Sequence, residues 1–115
     1  MNITPYFNNV DYLRETAKQI SKDFELAGLP LTFSGEGSTA FNELLYALSP
    51  LLNELIEKNF SGLLNLLYRI DIHESKVALL SEHNDYGSLP EALADLIIRR
   101  ELQKIVIRKH YHSEN

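Results

Sequence analysis

The sequence has no cysteine and no tryptophan, one methionine, and only five glycines and four prolines in 115 residues. Without cysteine there is no disulfide framework, no thiolate nucleophile and no cysteine-based zinc site. Long apolar runs are missing too. The longest charge-free ones, Leu44–Asn53 and Asn59–Tyr68, reach about half of the roughly 20 residues a membrane helix needs. Positive charge is also scarce: 11 Lys and Arg stand against 16 Asp and Glu, a net charge of −5. That balance argues against a general nucleic-acid binder, which normally presents a basic surface. The start, MNITPYFNN, lacks the basic region and apolar run of a secretory signal, so the expected address is the cytoplasm.

What the sequence does hold is leucine at helical spacing. Phe41, Leu44, Leu45, Leu48, Leu52, Leu55 and Ile56 recur in steps of three and four, as do Leu63, Leu66, Leu67 and Ile70. Each set lies on one side of a helix, and the short join between them predicts a helical hairpin. A hydrophobic content of 44% is ordinary, and this length suits one core and one domain over residues 1–115. The first helix is expected over Asn9–Ala27, with an apolar seam at Val10, Leu13, Ala17, Ile20, Phe24 and Ala27. Asn8 or Asn9 caps it, and Gly28 with Pro30 ends it. Tyr6 and Phe7 are expected to lie as an apolar lid over the end of the bundle. Leu29–Phe33 reads as extended, and Ser34–Thr39 as a turn.

The second helix is expected from Ser38 or Thr39 to about Lys58, bent but unbroken at Pro50, because the stripe keeps its register across the proline; the competing reading is a break with Ser49 capping a fresh start at Pro50. The third opens near Ser61. Asp71 and Glu74 have capping-box spacing, which allows a break after Ile70. Ile70, Glu74, Val77 and Ala78 also share one stripe, which fits a single helix to about His83 equally well. The fourth starts with Ser88, Pro90 and Glu91 and runs to about His110. A strand over Lys104–Tyr111, rich in β-branched residues, is the alternative for its end. The expected fold class is therefore all-α, an antiparallel up-down four-helix bundle.

The last helix is apolar on two sides. Leu89, Leu93, Leu96 and Ile97 share one; Ile98, Leu102, Ile105 and Val106 lie on nearly the other. Such a helix is either central or has one face against another subunit. The expectation is a homodimer that uses Ile98, Leu102, Ile105 and Val106.

Charges on the apolar stripes point to interhelical pairs. With the third and fourth helices antiparallel about Asn84–Gly87, Asp71 and Glu74 meet Arg99 or Arg100, and Arg69 meets Glu101. A buried ladder of this kind sets helix register, and its functional counterpart is a polar pocket able to bind an anion. Residues 99–112 hold five Lys and Arg against one acid, whereas everything before Arg99 holds six against 14. Arg100, Lys104, Arg108 and Tyr111 line one side there, suited to an anion or an acidic partner, or simply complementing the helix dipole.

No catalytic constellation emerges. No Glu precedes a His by three as in di-iron bundles, and His73-Glu74 lacks the second histidine of a zinc-protease helix. His110 and His112 read as a solvated chain end, and Ser81 near His83 as coincidence. Gly35-Glu36-Gly37-Ser38-Thr39-Ala40 matches a G-x-G-x-x-A fingerprint, but without a parallel βαβ unit it reads as a turn feeding a helix. No metal or cofactor is implied.

LLYRIDIHESKV and LADLIIRRELQKIVIRKHY resemble segments of a group of small bacterial all-helical proteins, a likeness covering the C-terminal half that brings no function with it. Arg69-Ile70-Asp71-Ile72-His73 and Arg108-Lys109-His110-Tyr111-His112 are similar to the Arg-polar-spacer-His motif of the helical, dimeric HEPN ribonucleases. Each has three residues between Arg and His, one fewer than that motif's shortest spacing. The expected role is a non-enzymatic, dimeric interaction or regulatory module with protein partners and neither nucleic acid nor membrane. The alternative is an anion- or RNA-acting helical protein that uses the basic last helix.

Overall fold

The computed structural model describes residues 2–29, 31 and 40–114, with the backbone alone for 112–114. The turn expected over residues 34–39 and all of the fingerprint but Ala40 lie outside them, as does most of the extended segment before the turn. The described residues are all-helical, without strands, in five helices rather than four. These are α1 (Val10–Leu26), α2 (Ala40–Lys58), α3 (Phe60–Ile70), α4 (Ser75–Glu82) and α5 (Leu89–Glu114), preceded by a 3₁₀ turn at Thr4–Tyr6. Lys104–Tyr111 is helical.

The helix ends follow local chemistry. Asn9 Oδ1 accepts the Tyr12 N–H at 3.1 Å and caps α1. At the other end Gly28 is left-handed (φ +77°), and the Leu29 N–H reaches back to the Phe24 carbonyl at 2.8 Å. This six-to-one bond closes a Schellman motif. Asn59, the only residue between α2 and α3, accepts the Gly62 N–H at 3.0 Å. A Cβ at Gly62 would lie 2.5 Å from Asn59 Nδ2, so a larger residue there would displace the capping side chain. Pro50 sits within α2 without ending it. Proline has no N–H to give the Tyr46 carbonyl one turn earlier, and Tyr46 is an exposed residue.

The fifth helix arises at Asp71. Its φ of 69° and ψ of 43° are left-handed, and the Ile72 N–H bonds to the Leu67 carbonyl at 2.8 Å. Asp71 thus plays in α3 the part that Gly28 plays in α1, and Ile72 and Leu67 are both buried under the turn. Of the two readings of this stretch, the break after Ile70 is the one observed and the single helix to His83 is not, but the break is not made by a capping box. Asp71 closes α3 instead of opening α4, and Glu74 makes no capping hydrogen bond.

The core is built around α5, which packs most extensively on α2 and next on α1. Leu93, Ala94, Ile97 and Ile98 join Leu44, Leu48, Leu52, Leu63, Leu67 and Ile70 in the larger cluster. Leu102 and Val106 join Leu13 and Ala40 in a smaller one, against which Ile3, Tyr6, Phe7 and Tyr12 pack. The lid expected of Tyr6 and Phe7 is in place. The face reserved for a second copy is another matter. Ile98, Leu102 and Val106 are 0% exposed and Ile105 is 1% exposed within one chain. α5 is the central helix, and α1 with the N-terminal residues covers the side that a partner was expected to cover.

Candidate functional site

Three helices converge on a polar cleft of about 330 Å³. α1 supplies Gln19 and Asp23, one turn apart; α5 supplies Glu101, Lys104, Ile105 and Arg108 along one stripe; α3 supplies Arg69 from its last turn. The side chain of Glu101 is 1% exposed, and its Oε1 accepts a hydrogen bond from Lys104 Nζ at 3.0 Å. Its other oxygen, Oε2, is buried without a partner. Burial pushes the Glu101 carboxyl above its ordinary value, Lys104 pulls it back, nearby Asp23 adds to the rise, and Arg100 opposes it. Asp23 is itself buried, and its side chain makes no hydrogen bond or ion pair among the described residues. Arg69 and Arg108 are exposed at the rim and have no acid partner among those residues. An adjoining cleft of about 260 Å³ shares Asp23 and Arg69 and adds Asn59 and Asn65.

The ladder forms at one rung only. Arg100 Nη2 lies 3.8 Å from Asp71 Oδ2, and the Asp71 side chain is 72% exposed. Arg100 makes a closer bond, 3.0 Å, to Gln103 of its own helix. Arg99 turns to Asp95 at 2.7 Å and covers the Phe7 ring at 4.5 Å. Glu74 is exposed, and Arg69 faces the same cleft as Glu101 without forming an ion pair with it. The buried ladder is corrected to one buried acid, Glu101, held from its own helix. The reason is the reversal at Asp71, which carries Asp71 and Glu74 out to solvent. Arg100→Leu is therefore expected to change stability by no more than about 1 kcal/mol, the range of an exposed ion pair. Thermal unfolding checks this; a loss of several kcal/mol would restore the ladder.

The basic stripe is divided as well. Lys104 and Arg108 belong to the cleft, Arg100 turns toward Asp71, and Tyr111 stands exposed beyond them. Lys104 is already engaged with Glu101 and is not a free cation. The histidines do not gather. His73 Nδ1 accepts the Ser75 N–H at 3.0 Å at the start of α4, and His110 Nε2 lies 3.1 Å from the Tyr6 hydroxyl. Arg69 and His73 face different surfaces across the Asp71 turn, so the motif-like pair is not one site. Among the described residues no three His, Asp or Glu side chains converge as ligands for a metal ion.

The second concave surface is apolar, about 610 Å³, between α3, α4 and the start of α5. Phe60, Leu64, Val77, Ala78 and Leu89 line it, with His73, Glu74, Ser75 and Ser81 at its polar positions. Phe60 is 46% exposed there. Neither this groove nor the α1 side of the cleft is among the sites expected from the sequence. A signal for the latter exists: Thr16, Gln19 and Asp23 form a polar line beside the apolar seam of α1, and Thr16 and Asp23 are buried. No protein-family model matches the chain, and neither a curated protein nor a solved structure was found to match it.

Proposed function

We propose that this chain is a non-enzymatic helical interaction module that works as a homodimer, with the α3–α4 groove as its docking surface. The frame is read as an up-down antiparallel bundle in which α3 and α4 together take the place of one long helix. The observation that carries the reading is the groove itself, an apolar concavity with a half-exposed phenylalanine, of the kind that receives a helical segment. Charge favours a second copy as the occupant. Around α4 lie Asp71, Glu74, Glu82 and Asp85 against Lys76, while residues 99–112 toward the far end of α5 hold five Lys and Arg against one acid and reach exposed Tyr111, Lys109 among them being already paired with Glu15 at 2.6 Å. Leu89 of the groove and Tyr111 sit near opposite ends of α5. Two copies with antiparallel α5 helices bring the exposed Tyr111 of each to the other's groove, a closed two-fold arrangement.

Sedimentation velocity over a range of concentrations, with and without a short RNA, tests this. The expected result is a dimer that ignores RNA and becomes monomeric in Leu64→Glu, with helical content unchanged. A monomer at every concentration would remove the dimer, and a dimer indifferent to Leu64→Glu would remove the groove. Salt-sensitive RNA binding would move the function to the basic end of α5.

A further inference from the structure

We infer that the cleft between α1, α3 and α5 binds a small zwitterion, a molecule with an ammonium group at one end and a carboxylate or phosphate at the other. The charges in the cleft are sorted, not cancelled. Two buried acids, Asp23 and Glu101, lie within, and two exposed arginines, Arg69 and Arg108, stand at the mouth without an acid partner among the described residues. Glu101 Oε2 is the group that asks for a ligand. It is a buried acceptor with no donor, although its twin oxygen is held by Lys104 at 3.0 Å. Folded proteins leave few such atoms unserved.

The alternatives fail on charge. An inorganic anion would satisfy the arginines but face two carboxyls. A divalent metal ion would find two carboxyls where three or more ligands are wanted, and a cationic rim in its path. An ammonium group can donate to Glu101 Oε2 and to Asp23, while the acid at its other end meets the guanidinium forks of Arg69 and Arg108. At about 330 Å³ the space is at the lower end of the roughly 300–1,000 Å³ of small-molecule sites, so the ligand is a few atoms long. Oε2 is closed to solvent, so entry requires a side chain of the cleft to move, and Lys104, about one-third exposed, has room to turn outward. Lys104 then joins the two arginines around the acid end.

A protonic signature follows. The groups facing Glu101 are Gln19 and Asp23 of α1, Arg69 of α3, and Arg100, Lys104 and Arg108 of α5. Burial holds the Glu101 carboxyl high, and a bound ammonium favours its charged form, so in the pH range where Glu101 is part protonated binding releases protons. Titration calorimetry of the full chain with γ-aminobutyrate and with phosphoethanolamine tests the site, with butylamine and inorganic phosphate as the two half-molecules. The two zwitterions distinguish a carboxylate from a phosphate end. The expected result is binding of at least one zwitterion about tenfold or more tighter than either half. Its heat should vary with the ionisation enthalpy of the buffer. Arg108→Gln, on an exposed side chain, should weaken it about tenfold without altering helical content, and Asp23→Asn should do the same. Binding of neither zwitterion, equal binding of phosphate alone, or an unchanged affinity in Arg108→Gln would overturn the inference.

Discussion

Leu102→Ala should lower the stability of the isolated chain by about 2–5 kcal/mol, the range for truncating a fully buried leucine. Leu102 is 0% exposed and lies in the smaller core cluster with Leu13, Ala40 and Val106. Helix α1 and the α2 start close over it, and Ile3, Tyr6, Phe7 and Tyr12 pack around the cluster. The aromatic neighbours cannot collapse freely into the space left by the lost isopropyl group, because each ring is held by another. Tyr6 stacks on Tyr12 at 4.8 Å, and Phe7 lies against Phe41 at 5.2 Å. The cavity therefore persists, and the loss belongs in the upper part of the range. Urea denaturation should show a lower midpoint with an unchanged slope, and the melting temperature should fall by about 10 °C or more. Oligomeric state should not follow Leu102. Had this face been a subunit contact, the same substitution would weaken association and spare the monomer. A concentration-dependent melting point that disappears in Leu102→Ala would return Ile98, Leu102, Ile105 and Val106 to the role first expected of them.

Why the two-sided pattern of α5 was ambiguous is a matter of geometry. Periodicity says which residues of a helix seek cover but not what covers them. The same limit explains the break in the third helix. Gly28 announces its left-handed turn, because glycine adopts positive φ at no steric cost. Asp71 does the same work with a side chain that does so less readily, although aspartate is among the few non-glycine residues that visit this region. The burial of Ile72 and Leu67 compensates, and that is a tertiary fact. The seam of α1, the leucine stripes, the α2 passage through Pro50 and the Asn9 cap were all legible, since local chemistry determines each. Of the cleft, Arg69, Glu101, Lys104 and Arg108 were picked out by type. Pairing Arg69 with Glu101 as a rung and setting Lys104 and Arg108 apart as a basic stripe overlooks that Lys104 lies one turn from Glu101 on the same helix. Local pairs form first, and Asp23 of α1 became visible only with the packing.

Glu101→Met should raise stability at neutral pH by about 1–4 kcal/mol, the gain seen when buried charges are replaced by apolar side chains of similar volume. The argument rests on what Glu101 costs in place. Its side chain is 1% exposed, one oxygen has no donor, and its one ion-pair partner, Lys104, is about one-third exposed. Lys104 can turn to water when the carboxyl is gone, so no uncompensated buried charge is left behind. The pH dependence follows from linkage. The folded-state value of Glu101 is raised above the ordinary 4.5, so between the two the native chain holds a proton that the unfolded chain has lost. Stability then falls as pH rises from about 4.5 through the raised value, and is flat in this group above it. In Glu101→Met that falling limb should disappear, and the gain over the parent should be smallest below pH 4.5, where Glu101 is protonated in both states. Chemical denaturation at several pH values measures both quantities. A variant less stable at every pH would show that the Lys104 bond outweighs burial, making Glu101 a structural anchor. A more stable variant that no longer binds the zwitterion would show the opposite: a destabilising carboxyl retained at the floor of a site, which is where stability and function usually conflict.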